Sequence, residues 1–312
     1  MTQAASKPMS WHVVTNCSSI KRRTGPSISP SMGYRSLEEF STAWVKKILS
    51  ASDLATVEDT YGGRTFTEAL GATELMGAEL YVISAGLGLV HAKDRIPNYN
   101  LTVSQGSGSI SNWLQSSGKT SDEWWANLNM KLGKPYPIFQ ITKHSKGLIL
   151  ALPSTYLEMI STELLMLPKE AIEKLFIITS TAGQKVIDKE LQPRCLPYDE
   201  RLDGADAYRG TRNDFPQRAL KHLVNEVDFQ NKSINEVKKD VLHFLSSHAK
   251  PTLPKREKLN DEEIKELISK NWTSYLGKRE SLHRYLRDVA LVACEQKRFG
   301  ALWNQVKLEI SK

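Results

Sequence analysis

The chain is short of cysteine and has no long apolar run. Its three cysteines, Cys17, Cys195 and Cys294, stand far apart with no CxxC pair. That argues against a disulfide scaffold and against a structural zinc site. No stretch approaches the roughly 18 consecutive apolar residues of a membrane-spanning helix. The longest apolar runs, such as Leu148–Leu152, are strand-sized. The opening MTQAASKPMSWHVVTN lacks the basic-then-apolar layout of a secretion signal, and no lipidation motif is visible. These absences make the cytoplasm the expected compartment and leave membranes out of the expected partners. The glycine fingerprints of dinucleotide and P-loop sites are missing, and no acidic spacing matches a standard metal loop. No cofactor and no metal are expected.

What is present is an ordinary globular composition, 40% hydrophobic and 25% charged, which excludes wholesale disorder. The 312 residues allow two domains, or one large domain with an appendage. The formal charge is +7, and it is unevenly spread: residues 250–312 hold 14 basic and 9 acidic side chains, so +5 of the +7 lies there. A polyanion partner fits that asymmetry; a lysine-rich solvated helical surface is the alternative.

Four segments read as buried strands: Trp11–Thr15, Glu79–Ser84, Gly147–Leu152 and Lys174–Ser180. They are short, almost continuously apolar and separated by helix-length intervals, as strands covered on both faces are. Ser36 with Glu39, and Thr155 with Glu158, have capping-box spacing; the first precedes Leu37, Phe40, Trp44 and Ile48 at helical intervals. The expected fold is α/β, a mostly parallel or mixed central sheet flanked by helices over 1–230. It would carry an inserted Trp/Ser/Gly-rich segment at about 100–145. Trp113, Trp124 and Trp125 suit an insertion that packs on the core or covers a cleft better than they suit a linker. Beyond it, 231–312 reads as a helical, basic C-terminal region. Ser233 and Glu236 start it, a Pro-flanked basic linker follows, and three short amphipathic segments end it. Their inward positions are Ile264, Leu267 and Ile268, then Leu282, Tyr285, Leu286 and Val289, then Phe299, Leu302, Trp303 and Val306.

In an open parallel sheet, ligands bind outside the carboxyl ends of the strands. The first strand runs into Cys17, Ser18, Ser19 and Lys21, the second into Ser84, Gly86 and Gly88, and the third into Ser154, Thr155 and Tyr156. Hydroxyls, backbone N–H groups at helix starts and one nearby lysine suit a polar or anionic ligand. The plainer reading is that the serines cap helices. In VISAGLGLVHAKDRIPNYNLT, Gly86 and Gly88 allow close backbone approach. Asp94 is placed to orient water or take a proton, and Tyr99 to stack on a base or donate a hydrogen bond. A turn aspartate with an aromatic plug is the alternative. Cys17 is the one cysteine placed to act as a nucleophile; otherwise it is a small buried residue.

The strand ending NCSSIK, the ISAGLGLVxxxDxIxxYxL block and the LPSTYLEMI block, in that order over roughly 10–185, resemble the YaaA-like superfamily. In that pattern a strand-end Ser/Cys-x-x-Lys is followed by Ser-x-x-x-Gly-Leu-x-x-x-x-Asp and then by Ser-x-x-Tyr. Here Cys17 to Lys21 is one residue longer than that spacing, and Ser154 to Tyr156 one residue shorter. The length, the Arg-rich GTRNDFPQRALKH segment and the basic helical tail look most like the DpdC group of 7-deazaguanine DNA-modification systems. That resemblance implies hydration of the nitrile of 7-cyano-7-deazaguanine, already in DNA, to the 7-amido base. Asp94 or Cys17 would then be the reactive group, with Lys21 or Tyr99 as proton donor. Ser18, Ser84, Gly86, Gly88, Ser154 and Tyr156 would line the substrate site. A base must leave the duplex for such chemistry. Candidate phosphate grips are Arg201, Arg209, Arg212 and Arg218 after the fourth strand, and Lys278, Arg279, Arg284, Arg287, Lys297 and Arg298 in the tail. Surface pairing with nearby acids is the alternative for these cations. Two other functions stay open: a non-catalytic DNA-binding stress or defence protein, and an enzyme acting on a free base or nucleotide. Other proteins of a DNA-modification system are further possible partners.

Overall fold

A computed structural model of the chain describes residues 9–310 apart from positions 24, 25, 32, 105, 107 and 253. The described strands, in chain order, are β1 (Ser10–Asn16), β2 (Leu54–Thr56), β3 (Glu79–Ser84), β4 (Gly88–His91), β5 (Arg95–Pro97), β6 (Ser145–Ala151) and β7 (Leu175–Ile178). Five of them form one sheet in the order β4-β3-β1-β6-β7, while β2 and β5 make a separate antiparallel ribbon. The four segments read as strands from their apolar runs are β3, β1, β6 and β7, all parallel to one another. The fifth, β4, returns antiparallel to β3 through the Gly86–Gly88 turn. The fold is therefore α/β with a mixed sheet.

The central strand β1 is covered on both faces, with Val13 and Val14 fully buried between β3 and β6. On one face, helix Leu37–Leu49 buries Leu37, Phe40, Trp44 and Ile48, the stripe its spacing predicts, and Ser36 Oγ accepts from Glu39 N. Helix Ser121–Lys131, from the inserted segment, packs against it. Helices Gly63–Met76 and Phe215–Glu226 pack together, the first against β1 and β3 and the second against β6 and β7. The insertion is part of the core: Trp124 Nε1 donates to Ala85 O and Trp125 Nε1 to Glu163 Oε2, each at 2.7 Å. Buried indoles need such acceptors. The expected Thr155–Glu158 box does not form. Pro153 takes the cap position and helix Ser154–Met159 starts two residues earlier than a Thr155 cap would set it, without a side-chain cap.

The chain divides into two compact units, 1–251 and 252–312. The division falls about twenty residues beyond the expected boundary at 230, because helix Ile234–Ser246 belongs to the first unit. Its capping box, Ser233 with Glu236, forms as read. Its buried face, Val237, Val241 and Leu245, joins the sheet-centred core. Amphipathic spacing shows that a helix needs a partner and does not say which one. The second unit has its own core of Ile264, Ile268, Leu282, Leu286, Phe299 and Val306, from helices Asp261–Lys270, Arg279–Asp288 and Gln296–Ile310. Val289, expected inward, is 66% exposed because its helix ends at Asp288.

Candidate functional site

Parallel pairing puts the carboxyl ends of β3, β1, β6 and β7 along one rim, so residues far apart in number meet there. Cys17 follows β1 directly and its N–H donates to Ile83 O at 2.9 Å, fixing it beside the end of β3. Tyr156, in the helix after β6, shares a hydrogen bond between its hydroxyl and Cys17 Sγ at 3.1 Å. The next segment is held by Arg22 N to Thr60 O and Gly62 N to Ile20 O, both 2.9 Å. This lays Lys21 beside Tyr61. The Lys21 Nζ sits 3.8 Å from the Tyr61 ring centre and 4.4 Å from that of Tyr99.

Behind them runs a hydroxyl chain with a readable direction. Ser84 Oγ accepts from Gly86 N at 3.2 Å and Leu87 N at 3.0 Å, which uses both of its lone pairs. Its proton therefore goes to the Tyr99 hydroxyl, 2.6 Å away, which shares a second hydrogen bond with Tyr61. Burial, then the charge of an ionised Cys17, raises the Tyr61, Tyr99 and Tyr156 hydroxyls well above the ordinary tyrosine value. All three remain neutral donors at physiological pH. Burial acts oppositely on the Lys21 ammonium, lowering it to about 8, with Cys17 opposing the shift.

These groups open onto a cavity of about 250 Å³ lined by Cys17, Ser18, Ser19, Lys21, Ser27, Asn98, Tyr99, Asn100, Leu101, Thr102 and Tyr156. It is smaller than the roughly 300–1,000 Å³ clefts of drug-sized ligands, and matches a single small heterocycle. Of the expected site residues, Cys17, Ser18, Lys21, Tyr99 and Tyr156 come together here.

Asp94 does not. The β3–β4 hairpin folds back on itself, so Tyr81 faces His91 and Ala92 N donates to Leu80 O. At about 3.3 Å per residue, this carries Asp94 on the order of 15 Å from the rim, to the opposite end of the sheet. There Asp94 Oδ2 accepts from His91 N at 2.9 Å, and His91 Nε2 meets Glu79 at 2.9 Å. It is a turn aspartate. Ser84, Gly86, Gly88 and Ser154 are also not cavity wall. Ser84 orients Tyr99 from behind, and Gly86 lets the Tyr99 ring lie where a Cβ would meet it at 2.8 Å. Gly88 turns the chain with φ +69°, and Ser154 merely begins its helix.

The cations separate as sharply. Arg218 is fully buried: it donates to Asp214 at 2.7 Å, Asp203 at 2.6 Å, Thr211 O at 2.7 Å and Tyr208 O, so it holds its own loop together and is no phosphate grip. Arg201 pairs with Asp199, Arg209 with Asp206, and Arg212 is exposed. In the second unit Arg287 pairs with Asp288 and Arg298 with Asp261, while Lys278, Arg279, Arg284 and Lys297 are exposed.

Four contributors carried no sequence signal strong enough to single them out. Tyr61 lies in a helix-to-helix joint; its role depends on Lys21 pairing across to it. Asn98 and Asn100 flank Tyr99 in the NYN run, a polar–aromatic–polar alternation that does hint at a wall. Gln217, fully buried on helix Phe215–Glu226, has Nε2 within 2.9–3.0 Å of Thr15 Oγ1, Asn16 Oδ1 and Ala151 O, and Asn16 Nδ2 donates to the Cys17 carbonyl at 3.0 Å. It ties the ends of β1 and β6 together behind Cys17. Comparison with family models, with curated proteins and with solved structures returns no match to this chain.

Proposed function

We propose that the chain is a DNA base-modification enzyme that hydrates the nitrile of 7-cyano-7-deazaguanine in DNA to the 7-amido base, with Cys17 as nucleophile. The observation that carries this reading is the meeting of a thiol, an amine with a value near 8 and neutral tyrosine hydroxyls in one base-sized cavity. A nitrile carbon is a weak electrophile, so a strong nucleophile and a proton for the nitrogen are both needed. Neutral Lys21 takes the Cys17 proton, sulfur bonds to the nitrile carbon, and the Lys21 ammonium returns that proton to the nitrogen. Water then adds to the thioimidate carbon. The C–S bond breaks, the amide leaves, and the sulfur recovers a proton; the Tyr156 hydroxyl, bonded to Sγ, favours breaking of C–S over loss of ammonia. The sum is nitrile plus water to amide.

The cavity size supports action on a base taken out of the stack, since a duplex cannot enter 250 Å³. Exposed Lys278, Arg279, Arg284 and Lys297 support a phosphate-binding role for the second unit. Those same cations favour, as the second reading, a DNA-binding stress or defence protein without catalysis. Incubating the protein with duplex carrying the cyano base, digesting to nucleosides and weighing them separates the two. Gain of one water by the base, lost in Cys17→Ala and kept in Asp94→Ala, is the expected result. DNA binding without mass gain overturns the enzymatic reading.

A further inference from the structure

We propose that Lys21 is in addition a carbonyl-capturing amine, whose Nζ adds to a small aldehyde admitted by the Cys17 cavity and forms an imine. The site has the parts that amine nucleophiles need. The side chain reaches the cavity wall and lies across the faces of Tyr61 and Tyr99. Cys17, Tyr61 and Tyr99 are the ionisable groups that face it, and among the described residues no carboxylate pairs with it. An ordinary surface lysine is an ammonium without a lone pair at neutral pH. Contact with aromatic faces favours the charged form; burial works against it and wins, so a sizeable neutral fraction exists near pH 8.

The step balances without a co-reactant. Nitrogen bonds to the carbonyl carbon, the carbonyl oxygen takes two protons and leaves as water, and a C=N bond remains. Both protons come from the amine, and the neutral Tyr156 hydroxyl on the cavity wall relays them to the departing oxygen. A cavity of about 250 Å³ restricts the partner to an aldehyde no larger than a nucleobase. This activity goes beyond nitrile hydration and does not need DNA.

Benzaldehyde with sodium cyanoborohydride, applied to the full-length protein, is the test, with the benzylated lysine located by peptide mass mapping. Near neutral pH, Lys21 is expected to label on the order of a hundredfold faster than surface lysines, in line with its larger neutral fraction. Its rate should be half-maximal near pH 8, against about 10.5 for an ordinary lysine. Lys21→Arg should lose the label, and Asp94→Ala, outside the cavity, should keep it with the fold checked by circular dichroism. Labelling spread evenly over the lysines, or label loss in a folded Asp94→Ala, overturns the proposal. Failure of the nitrile reading shows instead as no mass gain of the DNA base, whatever Lys21 does with aldehyde.

Discussion

His222 illustrates how burial, the largest influence on it, sets chemistry in this core. It sits between Tyr198, Tyr208 and Phe244, its Nδ1 sharing a hydrogen bond with the Tyr198 hydroxyl at 2.8 Å. Burial lowers it to about 4 from 6.5. The unfolded chain thus takes a proton between pH 6.5 and 4 that the folded chain refuses, and stability is lost as pH falls through that window. His12, also lowered by burial, acts in the same direction. Urea midpoints should drop from pH 7 to pH 5, and His222→Gln should flatten the slope; an unchanged midpoint would remove histidine burial as the cause. Gln217→Leu removes the donor that bridges Thr15, Asn16 and Ala151, leaving buried acceptors unpaired. The expected cost is about 1–3 kcal/mol. Gln217→Glu should not rescue it, since a carboxylate cannot donate; equal stability of Glu and wild type in urea titration would contradict this role.

At the scale of elements, the β3–β4 turn is a tightly packed piece of the rim. Ala85 and Gly86 offer their carbonyls to Trp124 and Trp44, each at 2.7 Å, and a Cβ at Gly86 would meet Tyr99 at 2.8 Å and Trp44 at 3.1 Å. Gly86→Ala should therefore destabilise by about 1–3 kcal/mol, as overpacking does, and loosen the Ser84–Tyr99 contact. Calorimetry reads the first effect and Cys17 alkylation rate the second. This turn also marks where reading from sequence stopped. The apolar runs of β1, β3, β6 and β7 were legible because strands buried on two faces must be apolar. GLVH is as short and apolar as the others, yet nothing in it tells whether the chain crosses over or doubles back. That one unknown moved Asp94 from the rim to the opposite end of the sheet. Cys17 and Lys21 were legible because they follow the end of a central parallel strand, whose direction is fixed.

For the whole molecule, two separate cores predict that each unit holds its own fold. Residues 1–251 made alone should unfold cooperatively and keep the Cys17 cavity, since all lining residues lie in that unit. Loss of cooperative unfolding in the truncated chain would contradict that division. If the second unit grips phosphate, duplex affinity should fall linearly in log salt, and replacing Lys278, Arg284 and Lys297 with alanine should shallow the slope by about two to three counterions. A slope unaltered by those changes assigns the contact elsewhere, with Arg212 as the next residue to change.

The sequence by itself determined that the chain is an α/β protein with a basic helical end, because apolar period and charge are local quantities that any fold must respect. It also placed Cys17, Lys21 and Tyr156 near strand ends and Tyr99 in the block after the second strand. Only the tertiary structure decided that these four share one cavity, that Tyr61 and Gln217 support it, that Arg218 is buried and that Asp94 stands apart. Those outcomes depend on strand direction and on which helix face meets which core, relations between distant segments that spacing along a chain does not encode.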